Sequence, residues 1–131
     1  MGRTRATARV IEHPGVEDLN VQQVLEALAD PARRSVVCRL ARENTDLSCG
    51  SFDLPVSRST STHHFNVLRE AGLLRQYYVG TTKMNALRTE ELEHRFPGLL
   101  TAVITATHAE TTPAPHPVGP AHPVRKAARP R

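Results

Sequence analysis

Apolar positions along this chain fall into blocks with helical spacing, followed by one pair of strand-like runs. Val21, Val24, Leu25 and Leu28 recur at steps of three and four, the pattern of a helix with one apolar side, and predict a first helix ending near Ala29. Asp30-Pro31 restarts the chain, with Asp as cap and Pro at a position whose missing N–H costs nothing. A second helix then runs to about Glu43 and buries Val36, Val37 and Leu40. The best-defined block is Val56 to Gly72. Ser57 is placed to cap its start, and Gly72 can take the left-handed conformation that closes it. Ser61, Phe65, Leu68 and Ala71 line one side of this helix, and Arg58, Ser59, Thr62, His63, Asn66 and Arg69 line the other. Between the second and third helices, residues 44–55 lose the pattern. The run L-S-C-G-S-F carries a central glycine and allows one or two helical turns, with Leu47, Phe52 and Leu54 packing under the third helix.

After Gly72, Leu74 to Val79 and Lys83 to Arg88 are β-compatible runs around Gly80-Thr81-Thr82, which predicts a hairpin. Tyr77 and Tyr78 alternate in it, so one packs inward and the other is left available. Thr89 with Glu90 and Glu91 suits a helix start, since acidic groups in a first turn interact well with the helix dipole. Leu92, Phe96, Leu99, Leu100, Val103 and Ile104 follow at spacings of three and four, interrupted by Pro97. The expectation is a break at Phe96, with a second helix starting at Pro97. A small domain has little interior left for so many large side chains at its end, so these six are expected to form a dimerisation surface against a second copy. The fold class is mainly α with a small β-hairpin.

Both ends differ from this middle. Residues 1–17 carry Arg3, Arg5 and Arg9 without a hydrophobic period and read as a flexible basic arm. Residues 109–131 are rich in proline, alanine, histidine and arginine and read as a disordered tail, able to recruit a protein co-regulator. Residues 18–108 remain as one domain. At 131 residues with 4% aromatics and no Trp, its core must come from Leu, Val and Ala. No apolar run approaches the roughly 18 residues of a membrane span, and the N-terminus lacks a secretory apolar stretch, so a cytoplasmic location is expected. Cys38 and Cys49 are expected to be free thiols, Cys38 in the core and Cys49 shielded. The net charge of +4 is unevenly placed. Residues 57–88 hold Arg58, Arg69, Arg75, Lys83 and Arg88 against Glu70 alone, whereas residues 17–56 are net acidic and Glu90, Glu91 and Glu93 follow. A basic segment beside acidic ones suggests a nucleic-acid face with a definite side. No phosphate-binding glycine loop, nucleophile–base pair or cofactor motif argues for an enzyme.

Two stretches carry a resemblance. S-R-S-T-S-T-H-H-F-N-V-L-R-E-A-G-L-L from Ser57 resembles the recognition helix of bacterial ArsR/SmtB-type winged-helix repressors, matching it at Ser57, His64, Val67, Leu68, Arg69, Glu70, Ala71, Gly72 and Leu73. A-L-A-D-P-A-R-R from Ala27 to Arg34 resembles a second motif of that family, in the same order and at nearly the same spacing. The resemblance covers about Val16 to Ile104. It implies a winged helix-turn-helix, a homodimer formed through terminal helices, and a regulator that binds a two-fold-related double-stranded DNA operator, by default as a repressor.

On this reading Arg58 is the candidate guanine contact, followed by Ser59, Thr62, His63, Asn66 and Arg69 along the groove, with Thr82 and Lys83 of the hairpin on phosphates. His63 and His64 project about 100° apart on a helix, so they do not make a metal pair. His64 stands at the family's histidine position, which supports the helix. The paired cysteines of the arsenic and cadmium sensors are missing here. The resemblance leaves a response to nickel or zinc open, with Glu91, His94, His108 and Glu110 as candidate ligands, beside the plainer reading of these four as exposed polar side chains. A winged-helix module for protein or RNA interaction, without metal response, is the alternative.

Overall fold

The structure, a computed structural model, describes residues 10–111; the expectations for residues 1–9 and 112–131 lie outside the described residues. A 3-10 turn at Val16–Asp18 leads into α1 (Val21–Leu28) and α2 (Pro31–Glu43). After β1 (Leu47–Ser48) come α3 (Arg58–Glu70), β2 (Leu74–Val79) and β3 (Thr82–Leu87), then α4 (Thr89–Arg95) and α5 (Leu99–Thr111). Leu19, Val36, Val37, Leu68, Leu73, Leu74 and Leu92 are almost wholly buried where these elements meet.

The sheet has three strands in the order β1-β3-β2, all antiparallel. Its third strand comes from a stretch expected to be helical. Leu47 pairs with Asn85 and Ser48 with Met84, and only a three-residue 3-10 turn, Cys49–Ser51, follows. The one or two helical turns expected there are therefore replaced by extended backbone, because glycine disfavours a helix and β3 offers an open edge that satisfies the backbone. Phe52 nevertheless packs against Phe65 of α3, ring centroids 5.5 Å apart.

Four boundaries and three burial assignments need correction. Residues 10–17 are not a free arm: His13 accepts a hydrogen bond from Gln76 N–H at 2.9 Å. The last helix extends past 108 to Thr111. The break near Pro97 is present, but the new helix begins at Leu99, because Gly98 is left-handed at φ +85. Glu93 accepts from Gly98 N–H at 3.1 Å and from the Thr101 hydroxyl at 3.2 Å, which secures that corner. The hairpin's second strand starts at Thr82 rather than Lys83. On α1, Val24, Ala27 and Leu28 are buried while Val21 and Leu25 remain 47% and 46% exposed. Leu92 and Leu100, expected on the dimer surface, are core residues of their own chain. Cys38 is half-buried rather than core, its thiol pushed up by burial against the opposing effects of Thr107, Arg34 and Arg42.

Gly72 closes α3 with φ +90, and a Cβ there would lie 2.1 Å from Leu19 Cδ2. Two constraints thus require glycine: a left-handed backbone and direct contact with the segment that precedes α1. Gly72→Ala is expected to destabilise the fold by about 2–4 kcal/mol, combining left-handed strain with overpacking, as read from urea unfolding. A loss below about 0.5 kcal/mol would show that Leu19 yields freely.

Candidate nucleic-acid interface

The helix that presents the candidate face is fixed at its start by local chemistry and along its length by a buried polar clasp. Ser57 Oγ accepts from Thr60 N–H at 3.2 Å, satisfying one of the first-turn donors. On the packed side stands His64, 6% exposed. Arg33 Nη1 lies 3.1 Å from His64 Nδ1. Arginine can only donate, so Nδ1 is the acceptor and the ring proton sits on Nε2, facing Asp30 Oδ1 at 3.9 Å.

The same arginine holds the turn before it. Arg33 also donates to Ala27 O at 2.7 Å and Glu26 O at 3.2 Å, and Arg34 Nη1 donates to Leu28 O and Ala29 O at 2.8 and 3.0 Å. Cations thereby reach the carbonyls left open at the end of α1. Asp30 caps the start of α2 by accepting from Ala32 N–H at 2.8 Å and Arg33 N–H at 3.3 Å. Burial raises its pKa, but these N–H groups, His64 and Arg33 outweigh that and leave it below the ordinary 3.8. The D-P-A-R-R run is therefore a two-sided corner, and its arginine joins it to His64. The cap and the histidine's supporting role are legible in the sequence, whereas this bond needs the folded corner to bring Arg33 to His64.

The opposite side of α3 is open. Arg58, Ser59, Thr62 and His63 are exposed. Across a groove of about 520 Å³, lined by Phe52, Arg58, Thr62, Asn66 and Lys83 among others, stands the β2–β3 hairpin with Thr82 exposed and Lys83 half-buried. Lys83 Nζ lies 5.8 Å from the centroid of the Tyr78 ring. Tyr77, on the same face of β2 as Arg75, is half-buried, and its hydroxyl donates to Asp46, an arrangement that raises its pKa.

Asn66 and Arg69 are placed differently from the other candidates. Arg69 Nη1 donates to Asn66 Oδ1 at 2.9 Å and Gln76 Oε1 at 3.2 Å, and its Nε is buried with no partner among the described residues. Both are half-buried; Arg69 ties the end of α3 to the hairpin through Gln76, while Asn66 is held by Arg69 and lines the groove. Gln76 in turn donates to Asn85 Oδ1 at 2.8 Å, and Asn85 Nδ2 donates to Leu47 O and Cys49 Sγ, both at 3.2 Å. Cys49 is thus the far end of a polar strut. Arg75 and Arg88 are spent elsewhere, bonded to Glu91 at 2.9 and 2.6 Å. Of the five basic residues in 57–88, Arg58 and Lys83 are the two that flank the groove.

The metal candidates do not converge. Glu91 is held by both arginines, Arg88 first, which keeps its carboxyl below the ordinary range despite burial. Among the described residues no three His, Cys, Asp or Glu side chains are placed to hold an ion.

This arrangement has relatives. YceK of Bacillus subtilis, an uncharacterised HTH-type transcriptional regulator, is 32% identical over 80 residues, covering 60% of this chain and 80% of that protein. The chain belongs to the HTH-type transcriptional regulators. A second relative, the HTH-type transcriptional regulator Rv2034 of Mycobacterium tuberculosis, is 40% identical to this regulator over 73 residues, covering 50% of this chain and 68% of that one. The regulator shares its fold with the crystal structure of an ArsR family transcriptional regulator, RHA00566, at TM-score 0.50 and 23% identity over 69% of this chain and 92% of that one. The fold is a winged helix-turn-helix, with α3 in the place of its second helix and β2–β3 as the wing. No protein-family model matches the chain. No described helix is long and apolar enough to cross a membrane.

Asp30→Ala removes the cap of α2 and is expected to cost about 1–2 kcal/mol near neutral pH. The folded-state pKa of Asp30 is depressed, so its contribution is complete above the ordinary 3.8 and is lost as pH falls through the lower folded value. Urea unfolding of both proteins across pH should show the gap closing only in acid; a constant gap would assign the loss to something other than the carboxylate.

Proposed function

We propose that two copies of this regulator bind a two-fold-related operator, each placing α3 in a major groove with its wing along the flanking phosphates, and that occupancy represses transcription by blocking polymerase. The observation that carries this is the exposed row Arg58, Ser59, Thr62 and His63 on a helix locked from behind by His64. Short hydroxyl, imidazole and guanidinium groups on a rigid helix suit base edges. Lys83 and Thr82 on the wing suit phosphates.

The second copy is expected on a surface different from the stripe read in the sequence. Leu92 and Leu100 are used internally, while Phe96, Leu99, Val103 and Ile104 are partly covered by their own core. Val21 and Leu25, one turn apart on α1, are the exposed large apolar residues of the helices. This exposed apolar pair on α1 is the surface that fits a second copy of itself. A nickel or zinc response is not part of the proposal. A site built on His94, His108 and Glu110 would need ligands from the second protomer, and Glu91 is already neutralised by two arginines.

Arg58→Ala is expected to lower operator affinity by about 1–3 kcal/mol and to relax sequence preference, while Lys83→Ala weakens operator and random duplex alike and reduces the salt slope by about 1. Titrations of both variants across a salt series separate these effects; equal losses of Arg58→Ala on operator and random DNA would favour a module for protein or RNA. Val21→Glu combined with Leu25→Glu is expected to give a monomer with unchanged helix content in sedimentation equilibrium, and a persistent dimer would move the interface elsewhere.

A further inference from the structure

In the sheet order β1-β3-β2, β2 is an outer strand, and its outward N–H groups need acceptors from elsewhere. Gln76 finds one in the imidazole of His13, Nε2 accepting at 2.9 Å. The partners are 63 residues apart in sequence, so this bond fastens the N-terminal segment to the wing strand. An imidazole can accept only through an unprotonated nitrogen. Protonation of Nε2 would turn the acceptor into a second donor facing the N–H.

The charges around His13 all work in one direction. Arg69 reaches it from α3, Arg75 from β2 and Arg88 from the end of β3. The carboxylates of these elements are already committed, Glu70 to Arg69 and Glu91 to both Arg75 and Arg88. An imidazolium here would face three guanidinium groups and no free carboxylate among them. Burial first, then Arg75, Arg88 and Arg69, hold the His13 pKa below its ordinary 6.5, with a hydrogen bond to the Ile11 backbone opposing them.

We propose that residues 10–13 form a proton-released latch: neutral His13 holds them on the outer edge of the wing, and protonated His13 lets them go. Released His13 regains its ordinary proton affinity, whereas docked His13 disfavours the proton. Docking is therefore complete above the ordinary value and weakens as pH falls below it, until the docked group also protonates. Gln76 also accepts from Arg69 of α3 through its side chain, so the latch sits one residue from that helix. The proposal does not depend on what α3 binds.

Amide hydrogen exchange of the 15N-labelled chain tests it, with Ala86 N–H, which faces Arg75 inside the β2–β3 ladder, as internal control. Between about pH 7.5 and about pH 5.5, either side of an ordinary histidine titration, Gln76 should lose several-fold of its protection after correction for intrinsic rates, and Ala86 should not. His13→Gln supplies a neutral acceptor and should make Gln76 protection independent of pH in this range. His13→Ala should leave Gln76 poorly protected at both. Protection of Gln76 that stays level in the wild type overturns the latch, as does full protection in His13→Ala at the higher pH. The same acid-dependent loss in His13→Gln would also overturn it, since the titrating group would then be another.

Discussion

The bond from Arg33 to His64 adds a buried, directed contact to the packing that joins α1 and α2 to α3. Arg33 satisfies the end of α1, belongs to the first turn of α2 and holds the buried side of α3, all with one guanidinium. Hydrophobic contact is non-directional and would allow α3 to rotate about its axis with little penalty. A directed bond to a ring nitrogen does not. The rotation of α3 determines whether Arg58 and Thr62 or Phe65 and Leu68 face outward, so the exposed row exists because the opposite side is pinned. A planar fork of donors suits this work better than an ammonium would.

Much of the fold was legible in the sequence because its signals are local. Asp30-Pro31, Ser57 and Gly72 mark helix ends by their own conformational preferences, and the structure has helix ends at each. What could not be read is long-range. Cys49–Ser51 becomes a 3-10 turn because Leu47 and Ser48 find β3, and no property of L-S-C-G-S-F announces a partner nearly forty residues away. Val21 and Leu25 carry the same periodic signal as Val24 and Leu28 and yet stay exposed, since periodicity marks an apolar side without saying what covers each part of it.

Charge counting misled in a similar way. The basic surplus of residues 57–88 counts five cations toward a nucleic-acid face, but Arg69 braces the wing and Arg75 and Arg88 meet Glu91. Long cationic side chains serve as structural ties as readily as they serve as surface charge. The open groove is consequently bordered by Arg58 on one wall and Lys83 on the other, so a partner there would be held by few charges and many short polar groups.

Asn85 is wholly buried on β3, where an apolar residue would be ordinary. Its bonds to Gln76, Leu47 O and Cys49 give the wing's interior directional character, and sliding one strand against another would break several of them at once. The hairpin is thus held in one orientation before any partner arrives. Flexible loops that must be ordered on association give up conformational freedom at that moment, and the loss subtracts from affinity. A wing built around a buried amide has given up that freedom during folding, so a partner meeting Thr82 and Lys83 would find them free of an ordering penalty.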